Sequence, residues 1–281
     1  MTSIFDNRTF TIATQHKKEE VLAPILRQHF NAHVLPTKHF NTDLLGTFTG
    51  EIERTEIPIS TARKKCLLAM ERFNLDLCIA SEGSFGPHPS IPFAAADEEI
   101  LYLIDKTNGI EIHVHHVSTR TNFNGAEISN LNDLHEFAQR CKFPSHALIL
   151  RDKRNNSEFI KKGITTWDTL IHEFNQHKGK YGSVFIETDM RAHLNPTRMT
   201  VIEETAEKLI ASMRSLCPEC NTPGFTVKSH IQGLPCSMCY SPTRSTLYHV
   251  YACQRCEYSE QKKFPHQKQT EDPMYCDVCN P

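Results

Sequence analysis

The feature that most limits what this chain can fold into is a set of four C-x-x-C pairs near its end: Cys217/Cys220, Cys236/Cys239, Cys253/Cys256 and Cys276/Cys279. A two-residue gap lets both thiolates of such a knuckle reach one metal at about 2.3 Å, and two knuckles complete a tetrahedral site. Four knuckles therefore imply two zinc ions, with a structural role. Redox or disulfide pairs are the competing reading, which a reducing compartment disfavours. The other three cysteines, Cys66, Cys78 and Cys141, stand singly among apolar neighbours. They are expected to be buried and metal-free.

Sequential, crossed and nested pairings of the knuckles all use every cysteine. The thirteen residues between Cys239 and Cys253 include the β-rich run Leu247–Tyr251. That stretch reads as a zinc ribbon and favours the nested scheme, in which the first and last pairs share the other zinc. From Arg214 to the end, seven Lys/Arg face six Asp/Glu, a net charge of +1. Strong nonspecific nucleic-acid binding needs more positive charge, so the module reads first as a structural clamp.

The 281 residues leave room for one α/β domain of roughly 200 residues ahead of that module. The expected division is 1–213 and 214–281. Hydrophobic residues at 39% and charged residues at 23% suit a globular chain. The balance of 31 basic against 33 acidic residues excludes a polycationic coat and an acidic tail, while allowing a local basic groove. No apolar run approaches the ~18 residues of a membrane span. Met1–Phe10 has no signal pattern. A cytoplasmic protein without membrane contact is expected.

Short apolar runs alternate with helical periods before the module. Phe10–Thr14, Leu75–Ser81, Ile100–Asp105, Ile110–Val117, His146–Arg151 and Ser183–Glu187 read as strands. His16–Phe30, Pro58–Asn74, Leu131–Cys141, Trp167–His177 and a helix opening at Asn195-Pro196 read as helices. The pattern implies an α/β domain with one mixed, mostly parallel sheet and helices on both faces. Residues 128–176 read as an insertion.

Three polar loops follow strands, where open α/β sheets bind ligands. The first is Thr14–Lys18, whose lysines, Lys17 above all, and helix amides form a candidate phosphate cradle. The second, Ser81–Pro89, carries Glu82, Ser84 and His88; Glu82 is a candidate Mg²⁺ ligand or general base. The third, Glu187–Arg198, carries Asp189, Arg191, Asn195 and Arg198. Its arginines form either an anion site or an internal ion-pair network with the carboxylates. Glu51 and Glu53 are further candidate carboxylates.

Two resemblances rest on these motifs. ASEGSFGPHP, ETDMRAHLNPTRM and the trailing CPEC…GLPCSMC resemble an uncharacterised bacterial family with a zinc-binding C-terminus. FTIATQHKKEEV, the A-x-x-K helix at Ala62–Lys65 and Ile79–Ser84 are similar in order to the Ham1-like and Maf-type nucleoside-triphosphate pyrophosphatases. That likeness implies Mg²⁺-dependent hydrolysis of a nucleoside triphosphate or related phosphorylated small molecule. Glu82 and Asp189 would be catalytic. Lys17, Ser84, His88, Arg191, Asn195 and Arg198 would bind substrate. The chain departs from the likeness in having only Glu82 where those enzymes carry paired aspartates, and in lacking their helix-opening glutamate near Ser60-Thr61, unless Glu53 or Glu56 substitutes. The alternative is a non-catalytic zinc-ribbon adaptor that binds nucleotide, nucleic acid or a protein.

Overall fold

A computed structural model describes residues 3–14, 16–36, 57–155 and 157–281. Glu51, Glu53 and Glu56 lie outside these residues. The chain divides into two compact units, 1–109 with 113–209 and 110–112 with 210–281.

In the first unit, β1 (Thr9–Ala13) lies parallel to both β2 (His33–Pro36) and β3 (Leu77–Pro87). β3 pairs antiparallel with β4 (Ala95–Asp105), and β5 (Ile110–Ser118) closes the order β2-β1-β3-β4-β5. Helix α1 (Glu19–Phe30) runs unbroken through Pro24. Helix α2 (Pro58–Phe73) lays Ala62, Cys66, Ala69 and Met70 on Ala13, Cys78, Ala80 and Tyr102. The alternate residues Ile12, Ile79, Leu101 and Leu103 are buried as well. Both faces of this sheet are thus covered, which is why its strands read as continuous apolar runs.

The expected single sheet is in fact two. β6 (Gly125–Ile128), β7 (Leu148–Arg151), β8 (Ile160–Ile164) and β9 (Val184–Thr188) form a separate sheet of order β6-β9-β7-β8, antiparallel throughout. Helices α3 (Leu131–Arg140) and α4 (Trp167–Tyr181) supply Leu134, Phe137, Leu170 and Phe174 to its core, against Ile128, Leu148, Leu150, Val184 and Ile186. These strands are short, and the buried residues of β9 recur at every second position, as in a sheet packed mainly on one face, while β7 buries Leu148, Ile149 and Leu150 in succession.

Helix α5 (Pro196–Arg214) leads to the second unit. There β10 (Thr226–Gln232), β11 (Thr246–Ala252) and β12 (Ser259–Lys263) form an antiparallel meander. Its apolar core is slight: Phe225 packs with Cys217 and Cys253, flanked by Tyr251 and Tyr258. No helix among the described residues is long and apolar enough to cross a membrane.

Phe174 is fully buried in the second sheet's core. Phe174→Ala is therefore expected to cost about 3–5 kcal/mol in urea unfolding.

Candidate functional site

The eight paired cysteines form two groups, Cys217/Cys220/Cys253/Cys256 and Cys236/Cys239/Cys276/Cys279, each with its sulfurs within 4.8 Å of one another. Cys217–Cys256 and Cys220–Cys253 stand at 3.6 Å. Cys236–Cys279 stands at 3.8 Å and Cys239–Cys276 at 3.6 Å. A tetrahedron with metal–sulfur bonds of about 2.3 Å has edges of about 3.8 Å. Each group could therefore hold one metal ion in a closed site. The same separations exclude disulfides, whose sulfurs lie about 2.05 Å apart. Cys66, Cys78 and Cys141 are buried and belong to neither group.

The pairing is crossed, not nested. The knuckles at Cys239 and Cys253 flank the seven residues of β11, and a seven-residue strand separates its ends by about 23 Å. They cannot share an ion. Strand reversal instead returns the chain from the first knuckle to the third and from the second to the fourth.

The first two knuckles also repeat one another as C-x-x-C-x-[ST]-P, at 217–223 and 236–242. The Cys217 N–H donates to the Thr222 carbonyl and the Cys236 N–H to the Ser241 carbonyl, both at 2.9 Å. Asn221 and Tyr240 occupy the same left-handed position, with φ of 55° and 61°. Hydrogen bonding by Thr222 holds the Cys220 thiol down to about 6, and Ser241 does the same for Cys239. Both thiols are thereby prepared to bind a cation as thiolates.

In the first unit, the loop candidates become a buried polar network. The Arg198 guanidinium, with a side chain 0% exposed, donates from Nε to Glu99 Oε1 at 2.6 Å and from Nη1 to the Met190 carbonyl. It also lies 4.9 Å from the Phe85 ring centroid. Lys18 Nζ donates to Ser81 Oγ at 2.9 Å and stands 3.7 Å from Glu99 Oε2. Burial pushes Lys18 down to about 8 against the pull of Glu99. Gly83 faces Glu99 across the ladder; a Cβ there would meet Arg198 Nη2 at 2.4 Å. Glu82, one residue earlier, projects to the α2 face and pairs with Lys65.

Asp97 joins this network without a donor on either carboxylate oxygen. Burial and then the neighbouring Glu99 charge push its pKa up to about 8. Both effects favour the neutral form of its carboxyl. Nearby, His16 stacks on His193 with ring centroids 5.2 Å apart. Burial, helped by His193, Lys18, Arg198 and Arg191, pushes His16 down to about 3.

Lys17 is exposed and pairs with Glu20 at 3.4 Å; the lysine that enters the network is Lys18. Asp189 is fully buried and clamps Arg191, accepting from Nη2 at 2.6 Å and Nε at 3.0 Å, and accepts from the Gly163 N–H at 3.1 Å. Asn195 caps α5 by accepting from the Arg198 N–H at 3.0 Å. The expected polar loop at 81–89 is largely strand, because β3 continues to Pro87. Ser84 lies within that strand, opposite Glu98. His88 structures the turn that follows: its Nδ1 accepts from the Ser90 and Ile91 N–H groups at 3.0 and 3.1 Å.

Lys65, Asp97 and Glu99 were not among the expected site residues and Lys18 stood second to Lys17, yet each carried a signal. Lys18 shares helical phase with buried Leu22 and Leu26, as Lys65 does with Ala62 and Ala69. Asp97 and Glu99 share strand phase with Leu101 and Leu103.

Asp97 titrates near 4 when unfolded and near 8 when folded. Across that window only the native state holds the proton, so its contribution makes stability fall as pH rises. Asp97→Asn, which mimics the neutral acid, is expected to raise Tm more at pH 8.5 than at pH 5. The gain should be roughly 2–4 °C per kcal/mol, read from melting curves at the two pH values.

No curated protein and no solved structure matches the chain, and the pyrophosphatase likeness gains nothing from these comparisons. One family model, a domain of unknown function designated DUF6671, matches residues 65–281, from the middle of α2 to the last residue. It takes in all eight paired cysteines together with Glu82, Asp97, Glu99 and Arg198. The chain belongs to the DUF6671 family.

Proposed function

We propose that this protein is a non-catalytic adaptor, braced by two structural zinc ions, whose α/β unit binds a nucleotide or a related phosphorylated small molecule. The observation that carries this reading is the closed geometry of both thiol groups. Four sulfurs at tetrahedral separations leave no position for water or substrate, which distinguishes a structural zinc from a catalytic one. All-thiolate sites also suit the reducing cytoplasm. The net charge of +1 over 214–281 argues against that unit as a nonspecific nucleic-acid binder.

Hydrolysis through Mg²⁺ is the less favoured reading. Glu82 is engaged by Lys65 and Asp189 by Arg191, both inside the protein. Binding a divalent cation would require each carboxylate to give up its cationic partner. Among the described residues, the cysteine sets are the only groups of three or more metal-ligating side chains within metal-binding reach.

Two zinc ions per chain are expected by metal analysis of the purified protein. Because the second unit has so little apolar core, chelation should unfold it. Loss of its amide protection should accompany zinc removal, while the helices of the first unit keep theirs. A nucleotide panel assayed with Mg²⁺ should give measurable affinities without release of phosphate or pyrophosphate. Turnover would restore the hydrolase reading.

A further inference from the structure

On the side of the β6–β9 sheet opposite its α3/α4 core lies a cleft of about 620 Å³, to which the three polar loops contribute only Gly86, Pro87 and Glu187. Its floor comes from the face opposite the α3/α4 core: Gly125 on β6, Arg151 on β7, and Phe185 and Glu187 on β9. Its facing wall is the end of the β3–β4 hairpin, with Phe93 at the rim and Phe123 beside it. All of these residues belong to the first unit.

Three features give the cleft a chemistry. Phe93 is 96% exposed and Phe123 is 39% exposed, so two phenyl rings with Phe185 offer stacking surface to solvent. The exposed Arg154 guanidinium lies 6.0 Å from the Phe185 ring centroid, and no described carboxylate pairs with it. Arg151 and Glu187 are joined at 2.7 Å, which places an oriented carboxylate beside the aromatic shelf. Gly125 makes the shelf possible: a Cβ there would come within 2.7 Å of Phe185 Cζ.

We propose that this cleft is where the adaptor binds a nucleoside monophosphate. The assignment rests on the nucleotide-binding reading given above and supplies its site. A planar base stacks on the phenyl faces, an interaction worth about tenfold or more in affinity per base. Arg154 takes the phosphate. Glu187 accepts from a ribose hydroxyl or an exocyclic amine. An inorganic phosphate lacks the stacking surface and a nucleoside lacks the anion, so both should bind more weakly than the nucleotide.

The test is calorimetric titration of the full zinc-loaded chain with AMP, GMP, CMP and UMP, and with adenosine and inorganic phosphate. At least one nucleotide should bind, at least tenfold more tightly than adenosine or phosphate. Phe185→Ala and Arg154→Ala should each weaken it about tenfold or more, with the Arg154 variant also losing salt dependence. Gly125→Ala should weaken it by displacing the Phe185 ring, a flexible group that can swing aside without unfolding the sheet. Melting curves identify any variant that fails to fold, and the exposed Arg154 position guards against all three failing together. If nucleotides bind and the three variants bind equally well, the cleft is the wrong site and the adaptor reading survives. If none of the four nucleotides binds, the assignment of this cleft to a nucleoside monophosphate is overturned, and the adaptor reading falls only if the wider nucleotide panel also shows no affinity.

Discussion

In the C-terminal unit, one β-strand separates each cysteine knuckle from the next, and that spacing decides which thiols can share a metal. Strands of five to seven residues keep their two ends roughly 15–25 Å apart. Antiparallel reversal then sends alternate knuckles to opposite ends of the meander. Two distant tetrahedral sets follow, one at each end of a sheet that has almost no apolar core of its own. Each cysteine set brings together segments more than thirty residues apart, such as Cys220 and Cys253 or Cys239 and Cys276. A metal held by each set would stand in for the hydrophobic burial that so small a unit cannot supply.

The α/β unit solves a different problem with buried charge. Lys18, Ser81, Glu99 and Arg198 come from the β1–α1 turn, β3, β4 and α5, and their hydrogen bonds and ion pairs link those elements. The upward shift of Asp97 beside Glu99 eases the cost of a second buried acid there. Asp189 and Arg191 make a similar brace between β9 and the segment before α5, with the Gly163 amide added. Residues that look like phosphate and metal ligands in the linear chain thus satisfy one another in the folded one.

Much of this architecture is legible in the sequence. The α/β class followed from alternating apolar periods, and the asparagine cap at Asn195 from the Asn-Pro pair before an apolar helix. The eight metal-ligating positions followed from knuckle spacing alone. The knuckle pairing was misread because Leu247–Tyr251 was recognised as a strand while its length was not used as a distance. The C-x-x-C-x-[ST]-P repeat was overlooked because its other positions differ. The β3 extension was hidden by Gly83, Gly86 and Pro87, residues that usually mark turns. Here Gly83 is needed because Arg198 and Glu99 fill the space a Cβ would occupy. The Phe185–Arg154 cleft has no linear signature, since its walls come from four segments spread between Gly86 and Glu187.

The crossed metal pairing is the centre of this account, and counting zinc in paired cysteine variants tests it most directly. Cys217→Ser with Cys253→Ser removes ligands from one site, so the double variant should retain one zinc per chain. Cys217→Ser with Cys276→Ser strikes both sites and should retain none. The opposite result, one zinc after the Cys217/Cys276 pair and none after the Cys217/Cys253 pair, would establish the nested arrangement and contradict the fold of the C-terminal unit described here.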